Sequence, residues 1–264
     1  MNSQPIGVFD SGIGGLTVAR ALLEAMPEEA LLYLGDTARL PYGTKSPDTV
    51  ARYTRRNVAF LLEQGVKAVV IACNTASATG LEGLDTPVPT WGVIEPGARA
   101  AVAVSRGRVG VIATDATIRS GVYPRALSRL RPSLEIFTGA CPLFVPLVEE
   151  GWEDDPIALE VAERYLRPLL DQRIDTLVLG CTHYPMLAGV LHRVAGAEVT
   201  LVDSAASIAA EVAAALDAGG LRAADGTPPR HRLLVTDAGP QFGRFAARIL
   251  GPGVELERVD VIEA

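Results

Sequence analysis

At 264 residues, 48% of them hydrophobic and 21% charged, the chain can bury the core of one large domain or of two small ones, and it is too apolar to be disordered. A net charge of −7, with acids and bases interspersed and no basic block, argues against nucleic acid as a partner. Of 24 basic residues only Lys45 and Lys67 are lysines; Lys67 opens a strand-like run, which leaves Lys45 as the one plausible Schiff-base residue for pyridoxal chemistry.

The first residues lack a basic region followed by a long apolar stretch, so no signal peptide is expected. No apolar segment approaches the roughly 20 residues of a membrane helix. Three cysteines form no visible disulfide framework, and the expectation is a cytoplasmic protein with free thiols.

Short β-branched runs predict strands over residues 5–9, 31–35, 66–72, 90–93, 108–113, 134–138, 174–180, 198–202, 232–236 and 254–259. Amphipathic segments between them predict helices, among them 16–26, 47–64, 157–172 and 204–217. Continuous apolar strands joined by helical crossovers indicate an α/β fold with mainly parallel sheets flanked by helices.

A coarse internal repeat runs through the chain. Ile6-Gly7-Val8-Phe9-Asp10-Ser11 is similar to Val109-Gly110-Val111-Ile112-Ala113-Thr114 at an offset of 103, and two cysteine-ending strands lie 108 apart. Two related α/β domains follow from this: residues 1–98 plus 209–264, holding Cys73, and residues 99–208, holding Cys181. Ligands of such sheets bind beyond the carboxyl ends of the strands. Asp10, Asp36, Cys73, Thr114 and Cys181 all fall there.

Cys73 opens Cys-Asn-Thr and Cys181 opens Cys-Thr-His, each at a strand end and each leading into an expected helix. A free cysteine is ordinarily a small buried hydrophobe, the reading given to Cys141. A helix N-terminus or a nearby imidazolium instead favours a reactive thiolate, which suits Cys73 and Cys181, with His183 two residues beyond the latter. Asp10 begins Asp-Ser-Gly-Ile-Gly-Gly-Leu; it either caps the next helix or, with Ser11 as the cap, accepts a hydrogen bond beside a thiol. Glu149 and Glu150 follow an apolar helical stretch and read equally as functional acids or as a solvated turn. Pro41-Tyr42-Gly43 after Asp36 forms a loop whose backbone N–H groups suit a carboxylate. His192 and His231 read as surface or helix residues. Zinc at Asp10, Cys73, Cys181 and His183 is disfavoured, because no Cys-x-x-Cys or His-x-x-x-His pair occurs.

The ordered set of segments resembles the glutamate racemase family of cofactor-independent amino-acid racemases. It comprises Val8-Phe9-Asp10-Ser11-Gly12-Ile13-Gly14-Gly15-Leu16, Gly35-Asp36, Pro41-Tyr42-Gly43, Ala72-Cys73-Asn74-Thr75-Ala76, Cys141-Pro142-Leu143, Val148-Glu149-Glu150-Gly151 and Gly180-Cys181-Thr182-His183-Tyr184-Pro185. The resemblance implies two similar domains related by a pseudo-two-fold, with the active site in the cleft between them. It implies Cys73 and Cys181 as the acid/base pair, with Asp10, His183 and Glu150 assisting. Ser11, Tyr42, Gly43, Asn74, Thr75 and Thr182, together with Asp10 and His183, would bind the substrate. The implied reaction interconverts L- and D-glutamate for peptidoglycan, without cofactor or metal, in a cytoplasmic homodimer that binds neither nucleic acid nor membrane. Racemases or isomerases of the same superfamily acting on aspartate, hydantoins or maleate remain the alternative, with a ligand-binding protein as a rival of another class.

Overall fold

The computed structural model describes residues 3–223, 229–251 and 255–261. Ten strands occur among them: β1 (Ile6–Asp10), β2 (Leu31–Gly35), β3 (Ala68–Ile71), β4 (Thr90–Gly92), β5 (Arg108–Ala113), β6 (Glu135–Ala140), β7 (Thr176–Gly180), β8 (Thr200–Val202), β9 (Arg232–Val235) and β10 (Leu256–Arg258). All ten fall at runs predicted from the apolar pattern, mostly trimmed by one or two residues; Val254, the first residue of the last run, lies outside the described residues.

The chain divides into two compact units. The first comprises Met1–Val93 and Ala205–Ala264 and holds a six-stranded parallel sheet in the order β10-β9-β2-β1-β3-β4. Every residue of β1, β2 and β3 is buried, as expected for a parallel sheet with both faces covered. Helix Pro47–Glu63 is built from strong local signals. Ser46 caps it by accepting from the Thr49 N–H, Pro47 occupies the first turn, and Asp48 complements the positive end. Its buried residues Val50, Thr54, Asn57, Val58 and Leu61 recur at helical spacing and turn one face to the sheet.

The second unit, Ile94–Ser204, holds a four-stranded parallel sheet in the order β6-β5-β7-β8. This repeats the β2-β1-β3-β4 part of the first sheet, and the register repeats with it. Gly7 lies opposite Leu32 and Val69, while Gly110 lies opposite Phe137 and Leu177. Both glycines are held by close approach: a Cβ on Gly7 would come within 3.1 Å of Val66, and one on Gly110 within 2.7 Å of Ile174, residues that themselves differ by the 108 offset.

The unit boundaries fall at 93/94 and 204/205, whereas the internal repeat predicts 98/99 and 208/209. The earlier cuts run through helices Ile94–Val104 and Ala205–Ala218, which pack as whole bodies. The first lies on helix Val122–Leu130 and the second on helix Leu16–Ala25.

Lys67 is not available for covalent chemistry. Its ammonium, almost completely buried, lies 2.6 Å from the equally buried Glu29 carboxylate and donates to the Leu221 carbonyl at 2.7 Å. Glu29 in turn accepts from the Ala223 N–H at 2.8 Å, so the pair ties the entry of β3 to the chain beyond helix Ala205–Ala218. Lys67→Met leaves the Glu29 carboxylate buried without its counter-charge and is expected to destabilise the protein by about 3–5 kcal/mol. Denaturant unfolding followed by circular dichroism measures the change, and an unaltered midpoint contradicts it.

Candidate active site

Cys73 stands two residues beyond Ile71, which pairs with Phe9, and Cys181 two beyond Leu179, which pairs with Ile112. The two thiols therefore occupy equivalent register positions in duplicated sheets. Both are buried, and their surroundings differ.

Cys73 is itself the N-cap of helix Asn74–Gly80: its sulfur accepts from the Ala76 N–H at 3.5 Å and lies 3.5 Å from the Ser11 hydroxyl. Asn74 and Thr75 are buried directly after it. Asp10, the last residue of β1, is fully buried, and its carboxylate accepts from the Gly12 N–H at 2.9 Å. Neither Asp10 nor Ser11 caps the following helix, contrary to the sequence expectation; the N-cap is Gly15, with no side-chain bond. Gly15 packs so closely that a Cβ there would sit 2.4 Å from the Asp10 Cβ, so the turn folds back onto the carboxylate. Tyr33 closes this turn by donating to the Gly12 carbonyl at 2.7 Å. Burial, and then the nearness of Asp10 and Cys73, push its phenol pKa well up, which keeps it a donor.

The Asp36–Thr44 segment is organised by the buried Asp36 carboxylate. Arg39 donates to it at 2.9 Å, Asn57 at 3.1 Å and Thr236 at 3.1 Å, and the Tyr42 hydroxyl donates to it as well. Tyr42 and Gly43 are both buried. The Tyr42 hydroxyl is thus engaged with Asp36 within the protein.

Cys181, unlike Cys73, does not lead directly into an α-helix. The chain after β7 forms a 3₁₀ turn at Tyr184–Leu187, and the α-helix begins only at Ala188. The neighbour of this thiol is His183, whose Nδ1 lies 3.9 Å from the sulfur and whose Nε2 lies 3.2 Å from a Glu149 carboxylate oxygen. Burial alone would lower the His183 pKa, but hydrogen bonds to Cys181 and Glu149 and their charges outweigh it and push the value up to about 10. An imidazolium held this way contributes stability in full below its ordinary value of 6.5 and loses that contribution as pH rises through about 10. Thr182, between the two, is buried.

The acid bonded to His183 is Glu149; the resemblance had implied Glu150 as the assisting acid on this side. Glu150 is exposed, at the C-cap of helix Phe144–Glu149. Successive helical residues point about 100° apart, so one glutamate of the pair faces His183 and the next faces solvent. The signal lay in the sequence: Glu149 is four residues from the buried Val145 and shares its face.

Cys141 keeps the structural role given to it. Burial, then proximity to Cys181 and Asp115, push its thiol pKa up, so it stays protonated, and Tyr184 donates to its carbonyl at 2.8 Å. His192 lies on helix Ala188–Ala195 as expected. His231 is exposed, as expected, and accepts from the Leu31 N–H at 3.3 Å. Among the described residues no cluster of three or more His, Cys, Asp or Glu side chains is spaced to hold a metal ion.

Each unit thus carries one thiol beside its own polar partners at the carboxyl end of a strand, and a thiol so placed can give or take a proton. The sequence pattern of the Asp/Glu/Hydantoin racemase family matches residues 6–212. The chain is 52% identical over 257 residues to a glutamate racemase from Syntrophus aciditrophicus, covering 95% of each chain. Among solved structures it is similar to a glutamate racemase isoform from Bacillus anthracis, with a TM-score of 0.93, 40% identity and 97% of each chain covered. A glutamate racemase from Francisella tularensis in complex with D-glutamate also gives a TM-score of 0.93, at 36% identity and 99% of each chain covered. Paired thiols at matching ends of duplicated parallel sheets, joined to likeness along nearly the whole chain, place this protein in the Asp/Glu/Hydantoin racemase family.

Proposed function

We propose that the protein is a glutamate racemase, interconverting L- and D-glutamate by a two-thiol proton transfer and supplying D-glutamate for bacterial cell-wall peptidoglycan. The reading extends to a cytoplasmic homodimer. The observation that carries it is the equivalence of Cys73 and Cys181: the same register position in two copies of one sheet, each with a different proton-handling partner.

The reaction breaks one Cα–H bond and makes another on the opposite face. One sulfur begins as thiolate and removes the α-proton; the other begins as thiol and delivers its own. The substrate keeps its composition, and the protein ends with the two protonation states exchanged, ready for the reverse direction. On the Cys181 side, the His183 imidazolium, fixed by Glu149, balances negative charge on the sulfur. On the Cys73 side, the Ala76 N–H and the Ser11 hydroxyl serve the sulfur, with Asp10 assisting. As the α-proton leaves, charge moves onto the substrate carboxylate, where fixed donors lower the barrier. Ser11, Asn74, Thr75, Thr182 and the Tyr42–Gly43 backbone supply them. No step needs a cofactor.

A panel of L- and D-glutamate, aspartate, hydantoins and maleate, resolved by chiral chromatography in deuterated water, tests the assignment. Glutamate racemises with deuterium entering the α-position, and aspartate turns over far more slowly; comparable rates on aspartate overturn the proposal. Cys73→Ser and Cys181→Ser each lower racemisation by about 10²- to 10⁴-fold while keeping the fold, and each still exchanges the α-proton of one enantiomer preferentially. Near wild-type racemisation by either variant rules out the two-base scheme. Glu149→Gln lowers kcat by about 10- to 100-fold, because a charge-assisted hydrogen bond to His183 is lost, whereas Glu150→Gln stays within about twofold. The same Glu149 variant moves the high-pH loss of activity to lower pH, since the carboxylate that raises the His183 pKa is gone; an unmoved profile separates Glu149 from the histidine.

A further inference from the structure

Asn57 lies on the sheet-facing side of helix Pro47–Glu63 and is fully buried among Thr54, Val58 and Leu61. An amide at such a position costs free energy unless its donors and acceptor are all matched. Here they are. Its two Nδ2 hydrogens serve three acceptors, one of them shared: Asp36 Oδ2 at 3.1 Å, the Tyr42 hydroxyl oxygen at 3.0 Å and the Tyr53 carbonyl at 2.9 Å, while its Oδ1 accepts from Arg39 Nη2 at 3.3 Å. Tyr53 is on the same helix. The other three partners, Asp36, Arg39 and Tyr42, all belong to the segment that leads from β2 into that helix.

The opposite side of this segment is fixed as well. Thr236, just beyond β9, donates to Asp36 Oδ1 at 3.1 Å and accepts from the Ala38 N–H at 2.9 Å. Filling space would need only an apolar side chain of similar volume. A donor aimed at both Asp36 and Tyr42 instead sets where the Tyr42–Gly43 backbone stands.

We propose that Asn57 is a positioning residue for glutamate binding: through Asp36 and Tyr42 it holds the Tyr42–Gly43 backbone in the place where that backbone receives a substrate carboxylate. The inference rests on the racemase reading above. It makes the Tyr42 hydroxyl part of the support and not a substrate ligand. It also separates binding from proton transfer, since Asn57 bonds to Asp36, Arg39, Tyr42 and Tyr53 rather than to a thiol.

Reciprocal exchange in the full-length protein tests it. Asn57→Asp places a second carboxylate against Asp36, and Asp36→Asn places a second amide against Asn57; the double variant restores one of each with the positions traded. Each single variant raises KM for L-glutamate by about tenfold and leaves kcat within about threefold, and the double variant returns KM to within about threefold of wild type. Unchanged KM in both folded single variants overturns the proposal. So does a double variant that recovers thermal stability without recovering KM. Should a single variant fail to fold, Tyr42→Phe carries the test: a raised KM supports the support role, provided that adding Asn57→Leu raises it by less than the product of the two separate effects, and independent effects overturn it. If the wild-type protein shows no glutamate turnover, the racemase reading fails separately. Amide hydrogen exchange at Tyr42 and Gly43 then decides on Asn57, with protection lost in the single variants and regained in the double, or unaffected and the inference wrong.

Discussion

Parallel strands buried on both faces leave almost no room for charge along their length. β1, β2, β3 and β7 are apolar or small at nearly every position, and in them carboxylates and thiols appear only where a strand stops and its backbone turns away from the sheet. That constraint explains why Asp10, Asp36, Cys73 and Cys181 sit within two residues of a strand end. It also explains why these groups are buried and ionisable at once: they lie under loops packed on the sheet edge, and each must be matched by donors or by an opposite charge.

Duplication supplies two such edges, and divergence has made them chemically unlike. The residue at the place of Asp10 in the second sheet is Ala113, so the carboxylate has no counterpart there. The second thiol has an imidazole instead, on a turn where the first has a helix. On the racemase reading proposed above, two sulfurs that begin a reaction in opposite protonation states are well served by unlike neighbours. A symmetric pair would have to break its own degeneracy with each turnover.

Much of the fold was legible because parallel, fully buried strands announce themselves as short apolar runs, and the Gly7/Gly110 repeat survives as a packing necessity. Cys73 and Cys181 were legible for the same reason, each ending such a run. What the chain did not reveal is governed by local phase and by distant partners. Helical phase decided between Glu149 and Glu150. Whether a helix starts at Thr182 or only at Ala188 depended on how Tyr184 and Pro185 turn, with Tyr184 packed edge-on against Phe144 at 5.2 Å. Lys67, read as the start of a strand, turned out to be half of an ion pair with a residue 38 positions earlier, which no local pattern encodes. The Asp36 network drew Thr236 from 200 residues away.

The second unit is an insertion within the first: residues 94–204 interrupt a sheet whose β9 and β10 come only near the chain's end. On the ribosome, β5 to β8 are all synthesised before β9 emerges to pair with β2, so the inserted sheet has its complete set of strands while the enclosing one still presents an open edge. The late partner bridges about 200 positions of sequence, a separation that slows loop closure and makes the unpaired β2 edge the interval of greatest exposure to misassociation during biogenesis.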